Sequence, residues 1–297
     1  MSTDPKHIRN VVLLGHSHCG KTSMIEAMLY ESKAITRRGT VEAGNTVSDF
    51  SDIEQERRGS LFSKLMHVSW KESKINLVDT PGSDDFVGEI LSSMKVADLG
   101  IMVLNAAHGV EVGTELIWEY KEKFQLPGMF VINQCDHEKA DFESTLEQAI
   151  ARFGPKLIPF QYPVNTGKSF NAIVDALRMV MYEFSPDGGK PIKKDIPPSE
   201  LDRANKMHNA IVEAAAENDD TLMEHFFETG NLEESELAEG LRKGIAKQQL
   251  FPVFCVSSIK NMGTGRIMGF INDVCPSPAD RPLTKLTKGE LAISTSG

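Results

Sequence analysis

VVLLGHSHCGKTSMIEAMLY, Val11 to Tyr30, passes from four apolar residues through a glycine-bounded loop into a stretch with helical character. The loop, GHSHCGKT from Gly15 to Thr22, fits G-x-x-x-x-G-K-[ST] and lies directly after a predicted strand and directly before a predicted helix. With average residue usage, the pattern alone would arise by chance in roughly one chain of this size in a hundred. Its flanks make phosphate binding a better reading than an incidental glycine turn. Glycines let backbone N–H groups curl around phosphate, and the helix N-terminus adds positive potential. Lys21 is then expected to reach the β/γ-phosphates and the Thr22 hydroxyl to bind Mg²⁺. The nucleotide-binding set here is Gly15, His18, Cys19, Gly20, Lys21, Thr22 and Ser23. The side chains of His16, His18 and Cys19 are read as pointing off the loop, whose backbone does the binding, and not as a metal site. Cys19, just before a helix N-terminus, is also a candidate for a lowered thiol pKa.

Such a loop needs partners on neighbouring strands. INLVDTPGSDDF, Ile75 to Phe86, reads as a short buried strand ending in Asp79 and a sharp Thr-Pro-Gly turn. About sixty residues after a phosphate loop, Asp79 is the expected second carboxylate for Mg²⁺, and Gly82 can offer its N–H to a γ-phosphate. Ser83, the next residue, should touch the reaction, and a serine has little chemistry to offer there. Farther on, the predicted strand MFVIN runs into Asn133-Gln134-Cys135-Asp136, close to the N-K-x-D pattern that selects guanine. A carboxylate at Asp136 can accept two hydrogen bonds from the N1–H and 2-amino edge of guanine, which adenine cannot offer, so the pattern predicts GTP over ATP. Gln134 keeps part of the flat stem of the usual lysine and loses its charge. Ser257 and Ser258 end a later strand, where a backbone N–H can meet the guanine O6. Gly167-Lys168-Ser169 resembles another phosphate loop, but the first glycine it would require is Tyr162, so it is read as an ordinary loop.

Outside the motifs, short apolar runs (VVLL, INLV, LGIMVL, MFVIN) alternate with amphipathic stretches such as Thr114 to Phe124. That alternation predicts an α/β fold of the P-loop GTPase kind, a mostly parallel sheet with helices on both faces. From about Phe160 to Gln249 the character changes to acidic helices (Ser199 to Glu217, Thr221 to Phe227, Ser235 to Lys247) and Gly/Pro-rich loops such as SPDGGKPIKKDIPP, before FPVFCVSS returns to a strand pattern. The expected organisation is a GTP-binding domain at 1–160 and 250–282, an inserted α/β subdomain at 161–249, and a linker at 283–297. The formal charge of −10 belongs to one segment, since Ser199 to Gly240 holds twelve acidic and two basic residues. The four cysteines are far apart with no CxxC pair, which argues against a disulfide framework or zinc knuckle. No apolar run approaches the ~20 residues that a membrane span needs. A cytoplasmic location and no membrane association are the expectation.

In this order, the motifs resemble those of a translational GTPase, and the chain is similar to the N-terminal part of bacterial elongation factor G. DIEQERRG, Asp52 to Gly59, resembles the first switch segment of that family. The insertion, with IPPSELDRANKMHNAIVEAAAENDDTLMEHFFE, resembles the family's G-domain insertion, and CPSPADRP its exit from the domain. The related recycling release factor lacks an insertion of this helical type. The resemblance implies a divergent paralogue and a fragment of a longer factor. It further implies a monomer that binds GTP or GDP with Mg²⁺ and acts at the ribosome's factor-binding centre; the acidic insertion reads first as a solvated face on packed helices, and by the resemblance as a contact for the stalk proteins. Two departures bear on activity. The family carries DTPGH, whose histidine positions the attacking water, and Ser83 stands there instead. The family's R-G-I-T supplies a threonine to Mg²⁺, and alignment on Gly59 puts Leu61 at that position, while a one-residue shift puts Ser60 there.

These departures favour a protein that binds GTP with weak or absent hydrolysis. The alternative is a fully active, ribosome-stimulated GTPase in which the partner supplies the missing electrostatics. A P-loop kinase or ATPase would have to treat Asn133 and Asp136 as accidents.

Overall fold

An apolar run without alternation implies a strand covered on both faces, and Val11, Val12, Leu13 and Leu14 are indeed fully buried, in β1 (Ile8–Leu14). The structure is a computed structural model and describes residues 4–186, 190–281, 285–288 and 291–294. After β1 come α1 (Lys21–Glu31), the short α2 (Asp52–Arg57), β2 (Lys64–Trp70), β3 (Ser73–Asp79), α3 (Val87–Val96), β4 (Leu99–Asn105), α4 (Val112–Lys123), β5 (Gly128–Asn133), α5 (Phe142–Phe153) and β6 (Leu157–Pro159). Four short strands follow, β7 (Gln161–Pro163), β8 (Ala172–Asp175), β9 (Val180–Glu183) and β10 (Ile192–Lys194). Then come α6 (Pro198–Ala216), α7 (Asp220–Thr229), α8 (Glu234–Ala246), β11 (Phe251–Cys255) and α9 (Thr264–Asp273).

The main sheet has seven strands in the order β2-β3-β1-β4-β5-β11-β6, all parallel except β2, which runs antiparallel to β3 at the edge. Period-two alternation sends Val11 and Leu13 into one apolar cluster and Val12 and Leu14 into the other. The first cluster includes Met24 of α1 and Ile267 of α9, the second Ile90 of α3, Ile117 of α4 and Phe142 of α5. The P-loop GTPase fold expected from the sequence is thus present. In such a sheet, ligands bind outside the carboxyl ends of the strands, and the loops after β1, β3, β5 and β11 all leave from that edge.

The chain leaves the main sheet after β6 and rejoins it at β11. Between them, β7 to β10 form a separate antiparallel sheet in the order β10-β9-β8-β7, beside α6, α7 and α8. The three helices fall where the sequence pattern expects them. The sheet strands are only three or four residues long, too short for alternation to register, and β10 emerges from the stretch SPDGGKPIKKDIPP that reads as loop. Gly167–Ser169 is a single 3₁₀ turn. In the 283–297 stretch, residues 285–288 and 291–294 pair as two antiparallel strands, and the rest lies outside the described residues. Among the described residues no helix is long and apolar enough to cross a membrane.

One feature of the core runs against residue type. Lys121, on the face of α4 that carries Ile117 and Trp118, has no exposed surface. Its ammonium lies 4.4 Å from the Trp118 ring centroid and 4.1 Å from that of Phe251, and donates to Gln248 Oε1 at 2.8 Å. Burial pushes its pKa down to about 7 from an ordinary 10.5. Between these values the unfolded chain holds a proton that the folded chain has released, so stability rises with pH across that window, by up to about 1.4 kcal/mol per unit. Lys121→Met keeps the apolar volume and removes the titration. Denaturant unfolding from pH 7 to 10 is expected to give a shallower pH slope in the variant, with equal or greater stability at pH 7.

Candidate functional site

The loops at the carboxyl edge enclose a cleft of about 530 Å³ lined by Lys21, Thr22, Ser60, Ser83, Gln134 and Ile259, among others. Two glycines of the phosphate loop have no substitute. Gly15 has φ +142° and Gly20 φ +93°, and a Cβ on either would stand 2.4 Å from Val103 O or 2.3 Å from Asn133 Nδ2. Gly20 ends the loop as the N-cap of α1, so the first helical N–H groups face the cleft. Lys21 is buried and donates to the carbonyls of Gly15 (2.8 Å) and His16 (2.9 Å). His18 is exposed, whereas Cys19 is buried. The lowered Cys19 pKa expected from the helix N-terminus does not occur, because burial pushes the thiol up more than nearby Lys21 pulls it down.

Below the loop lies a knot of oxygen atoms. Thr22 Oγ1 and Ser48 Oγ donate to Asp79 Oδ2 at 2.7 and 2.9 Å. Ser60 Oγ donates to Asp49 Oδ1 at 2.8 Å and lies 3.4 Å from Thr22 Oγ1. Asp79 is fully buried, and burial raises its pKa against the opposing effect of Thr22, Lys21 and Ser48, with neighbouring Asp49 adding repulsion. Asp79 Oδ1 and Asp49 Oδ2 are buried without a partner among the described residues. Two crowded carboxylates, orphaned oxygens and an all-oxygen donor set suit a hard divalent cation.

The side chain that reaches this knot from the segment after α2 is that of Ser60, not Leu61. Glu54, fully buried in α2, accepts from the backbone N–H groups of Leu61 (2.8 Å) and Phe62 (3.3 Å), from Ser51 Oγ (2.7 Å) and from the Lys64 ammonium. Burial alone would raise the Glu54 pKa, but these donors bring it below the usual carboxylate value. With the Leu61 backbone tied to Glu54, the hydroxyl facing Thr22 belongs to the residue before it. Of the two residues that the sequence left open, Ser60 and not Leu61 lies beside Thr22.

Gly82 packs so closely against the phosphate loop that a Cβ there would stand 2.7 Å from Lys21 Nζ and from Ser17 Cα. Ser83 follows as the cap of a short 3₁₀ turn, its Oγ accepting from Asp85 N at 3.4 Å and lying 3.2 Å from Asp85 Oδ2, to which it donates. The side chain at the expected catalytic position is therefore turned onto its own turn.

On the opposite side, Asn133 at the end of β5 donates from Nδ2 to Cys19 O at 3.0 Å and accepts at Oδ1 from Ser258 N (3.0 Å) and Ser258 Oγ (2.9 Å). Gln134 donates from Nε2 to His18 O at 2.9 Å. Asp136 is half-buried, and its carboxylate has no hydrogen bond or ion pair among the described residues, which leaves both oxygens for a base. Ser257 and Ser258 depart from expectation. Their N–H groups are already given to Met262 O at 3.1 Å and to Asn133 Oδ1, so neither is free for a guanine O6. On the same loop, the N–H of Ile259, which lines the cleft, has no acceptor among the described residues. Sequence reasoning also missed Arg38, which donates to the carbonyls of Ser258 (3.1 Å) and Ile259 (2.7 Å), and the cleft cations Arg57 and Arg58. An arginine in a loop far along the chain carries no local signal of such a contact.

Comparison with known proteins agrees with this geometry. Residues 6–277 match the family model of the elongation factor Tu GTP binding domain. Elongation factor G of Mycoplasma genitalium is 34% identical over 287 residues, 96% of this chain and 41% of that protein. Elongation factor G of Mycoplasma pneumoniae is 35% identical over 287 residues, with the same coverage. A crystal structure of a Thermus thermophilus protein superposes with a TM-score of 0.87 at 29% identity, covering 93% of this chain and 41% of that one. The chain thus spans 41% of the length of these relatives.

Asn133→Ala removes the three hydrogen bonds of Asn133 and leaves buried groups on two loops unpaired. Denaturant unfolding is expected to report a loss of about 2–4 kcal/mol. The same substitution at exposed Lys139 is expected to change stability by less than about 0.5 kcal/mol.

Proposed function

The chain belongs to the translational GTPases that share the elongation factor Tu GTP binding domain, and from that premise we propose that it is the nucleotide-binding part of an elongation factor G-like protein. It acts on cytoplasmic ribosomes in translocation, binding GTP with little or no hydrolysis. Residues 1–160 and 250–282 serve as the GTP-binding domain and 161–249 as an insertion that meets ribosomal stalk proteins. Thr22 and Asp79, with Ser60 and Asp49 beside them, would hold Mg²⁺, which when bound offsets phosphate charge. Lys21 and the amides from Gly15 to Ser23 cradle the phosphates, and Asp136 reads the guanine edge.

The observation that carries the weak-hydrolysis reading is Ser83. Its hydroxyl is committed to Asp85, and the carboxylate beside it opposes the negative charge that develops on the γ-phosphate. General-base and water-positioning effects are worth roughly 10²- to 10⁴-fold. The alternative, a fully active ribosome-stimulated GTPase, gains from the Ser60 hydroxyl, which supplies a switch oxygen where a leucine would supply none.

Single-turnover hydrolysis of labelled GTP by the full-length protein on purified ribosomes, beside an ordinary elongation factor G, separates the two readings. Bound GTP left intact is the expected result, and phosphate release at the ordinary factor's rate would overturn it. Ser83→His is expected to raise the rate at least tenfold. Asp136→Asn is expected to weaken GTP and favour xanthosine triphosphate, whose 2-oxo group complements an amide; unchanged GTP affinity would show that Asp136 does not read the base.

A further inference from the structure

Gln134 stands where the resemblance has a lysine, and the two side chains make opposite demands. An ammonium has three donors and no acceptor, whereas an amide presents a donor at one end and an acceptor at the other. A glutamine there needs a donor facing its oxygen. The structure supplies one from β4. Asn105, the last residue of that strand and 3% exposed, lies in register beside Asn133 and donates from Nδ2 to Gln134 Oε1 at 3.2 Å.

The direction of this chain of amides is set at both ends by backbone groups that cannot turn over. Ala107 N–H donates to Asn105 Oδ1 at 2.8 Å, so Asn105 must present its NH₂ to Gln134. Gln134 must then present its oxygen to Asn105 and its own NH₂ to His18 O, as found at 2.9 Å. The carbonyl at the far end belongs to a strained position, since His18 is a non-glycine residue with φ +63°. The next carbonyl, Cys19 O, is held by Asn133. Two successive carbonyls of the phosphate loop are thereby held by the adjacent side chains of Asn133 and Gln134.

We propose that Asn105 is a positioning residue for guanine-nucleotide binding, acting through Gln134 on His18 as an uncharged amide relay in place of a lysine. This rests on the nucleotide-binding reading of the cleft. It follows that a lysine alone at position 134 would not improve the site, because its ammonium would face the Asn105 NH₂, donor against donor.

The test follows release of fluorescently labelled GDP, chased with unlabelled GDP, from the full-length protein. Asn105→Asp keeps the acceptor for Ala107 N–H but turns a carboxylate oxygen towards Gln134. It is expected to speed release roughly tenfold, the size of one lost hydrogen bond. Gln134→Lys alone is expected to speed release severalfold. The double variant Asn105→Asp with Gln134→Lys sets an ammonium between the carboxylate and His18 O, and is expected to return to within about twofold of wild type. An Asn105 that merely capped its own turn would predict wild-type release from Asn105→Asp and no rescue by lysine; either result overturns the relay. Should Asn105→Asp fail to fold, Asn105→Ala, Gln134→Ala and their double variant form a second cycle, in which multiplying effects overturn the relay and non-multiplying effects support it. Wild-type protein that takes up no labelled GDP would instead overturn the nucleotide reading itself.

Discussion

The site depends on one side chain at the end of one strand. Asn133 reaches the phosphate loop through Cys19 O and the loop after β11 through Ser258, so three segments far apart in sequence share a single amide. Each of its bonds is buried, and in a low-dielectric setting an unpaired partner costs more than the bond itself contributes. The two loops are therefore tied to each other through this one side chain. The close approach of Gly20 to the same amide makes the point sterically, since any Cβ there would push the phosphate loop off its anchor. A parallel sheet permits this arrangement because it gathers the carboxyl ends of β1, β5 and β11 at one edge.

Across the cleft the control passes to a carboxylate. Glu54 collects two backbone N–H groups, a hydroxyl and an ammonium. It is a charge buried with enough donors to stay a charge. Its effect is geometric, because holding the backbone at Leu61 and Phe62 fixes which neighbouring residue turns its hydroxyl towards Thr22. Asp79 and Asp49 are the opposite case. Each is a buried carboxylate with one oxygen unpartnered among the described residues, although the Lys64 ammonium lies 3.6 Å from Asp49 Oδ1, and a bound cation would complete the set.

Much of this was legible in the sequence. Unbroken apolar runs announce buried parallel strands, and the phosphate loop, DTPG and the Asn133–Asp136 segment sit at strand ends where their chemistry requires. What stayed hidden has specific causes. The second sheet is built from strands of three or four residues, below the length at which a period of two can be read. The choice between Ser60 and Leu61 depends on Glu54, whose hydrogen bonds a linear motif cannot express. Asn105 and Arg38 contribute through partners 29 and 220 residues away. Lys121 lies at helical spacing from Ile117 and Trp118, so the periodicity pointed inward, but residue type argued for solvent.

The three unusual residues of the cleft are not equivalent once their neighbours are considered. Gln134 has an internal partner in Asn105 that satisfies its oxygen, so the lost lysine charge leaves no unpaired group. The segment after α2 places the Ser60 hydroxyl 3.4 Å from Thr22 Oγ1, beside the leucine that carries none. Ser83 alone has no compensation, since its hydroxyl donates to Asp85 and the negative charge of that carboxylate opposes the charge that would develop on a γ-phosphate. In the function proposed above, binding draws on the first two positions and hydrolysis on the third. A site repaired where it holds nucleotide and unrepaired where it would cleave it has the asymmetry expected of a protein whose proposed work is done by the bound state.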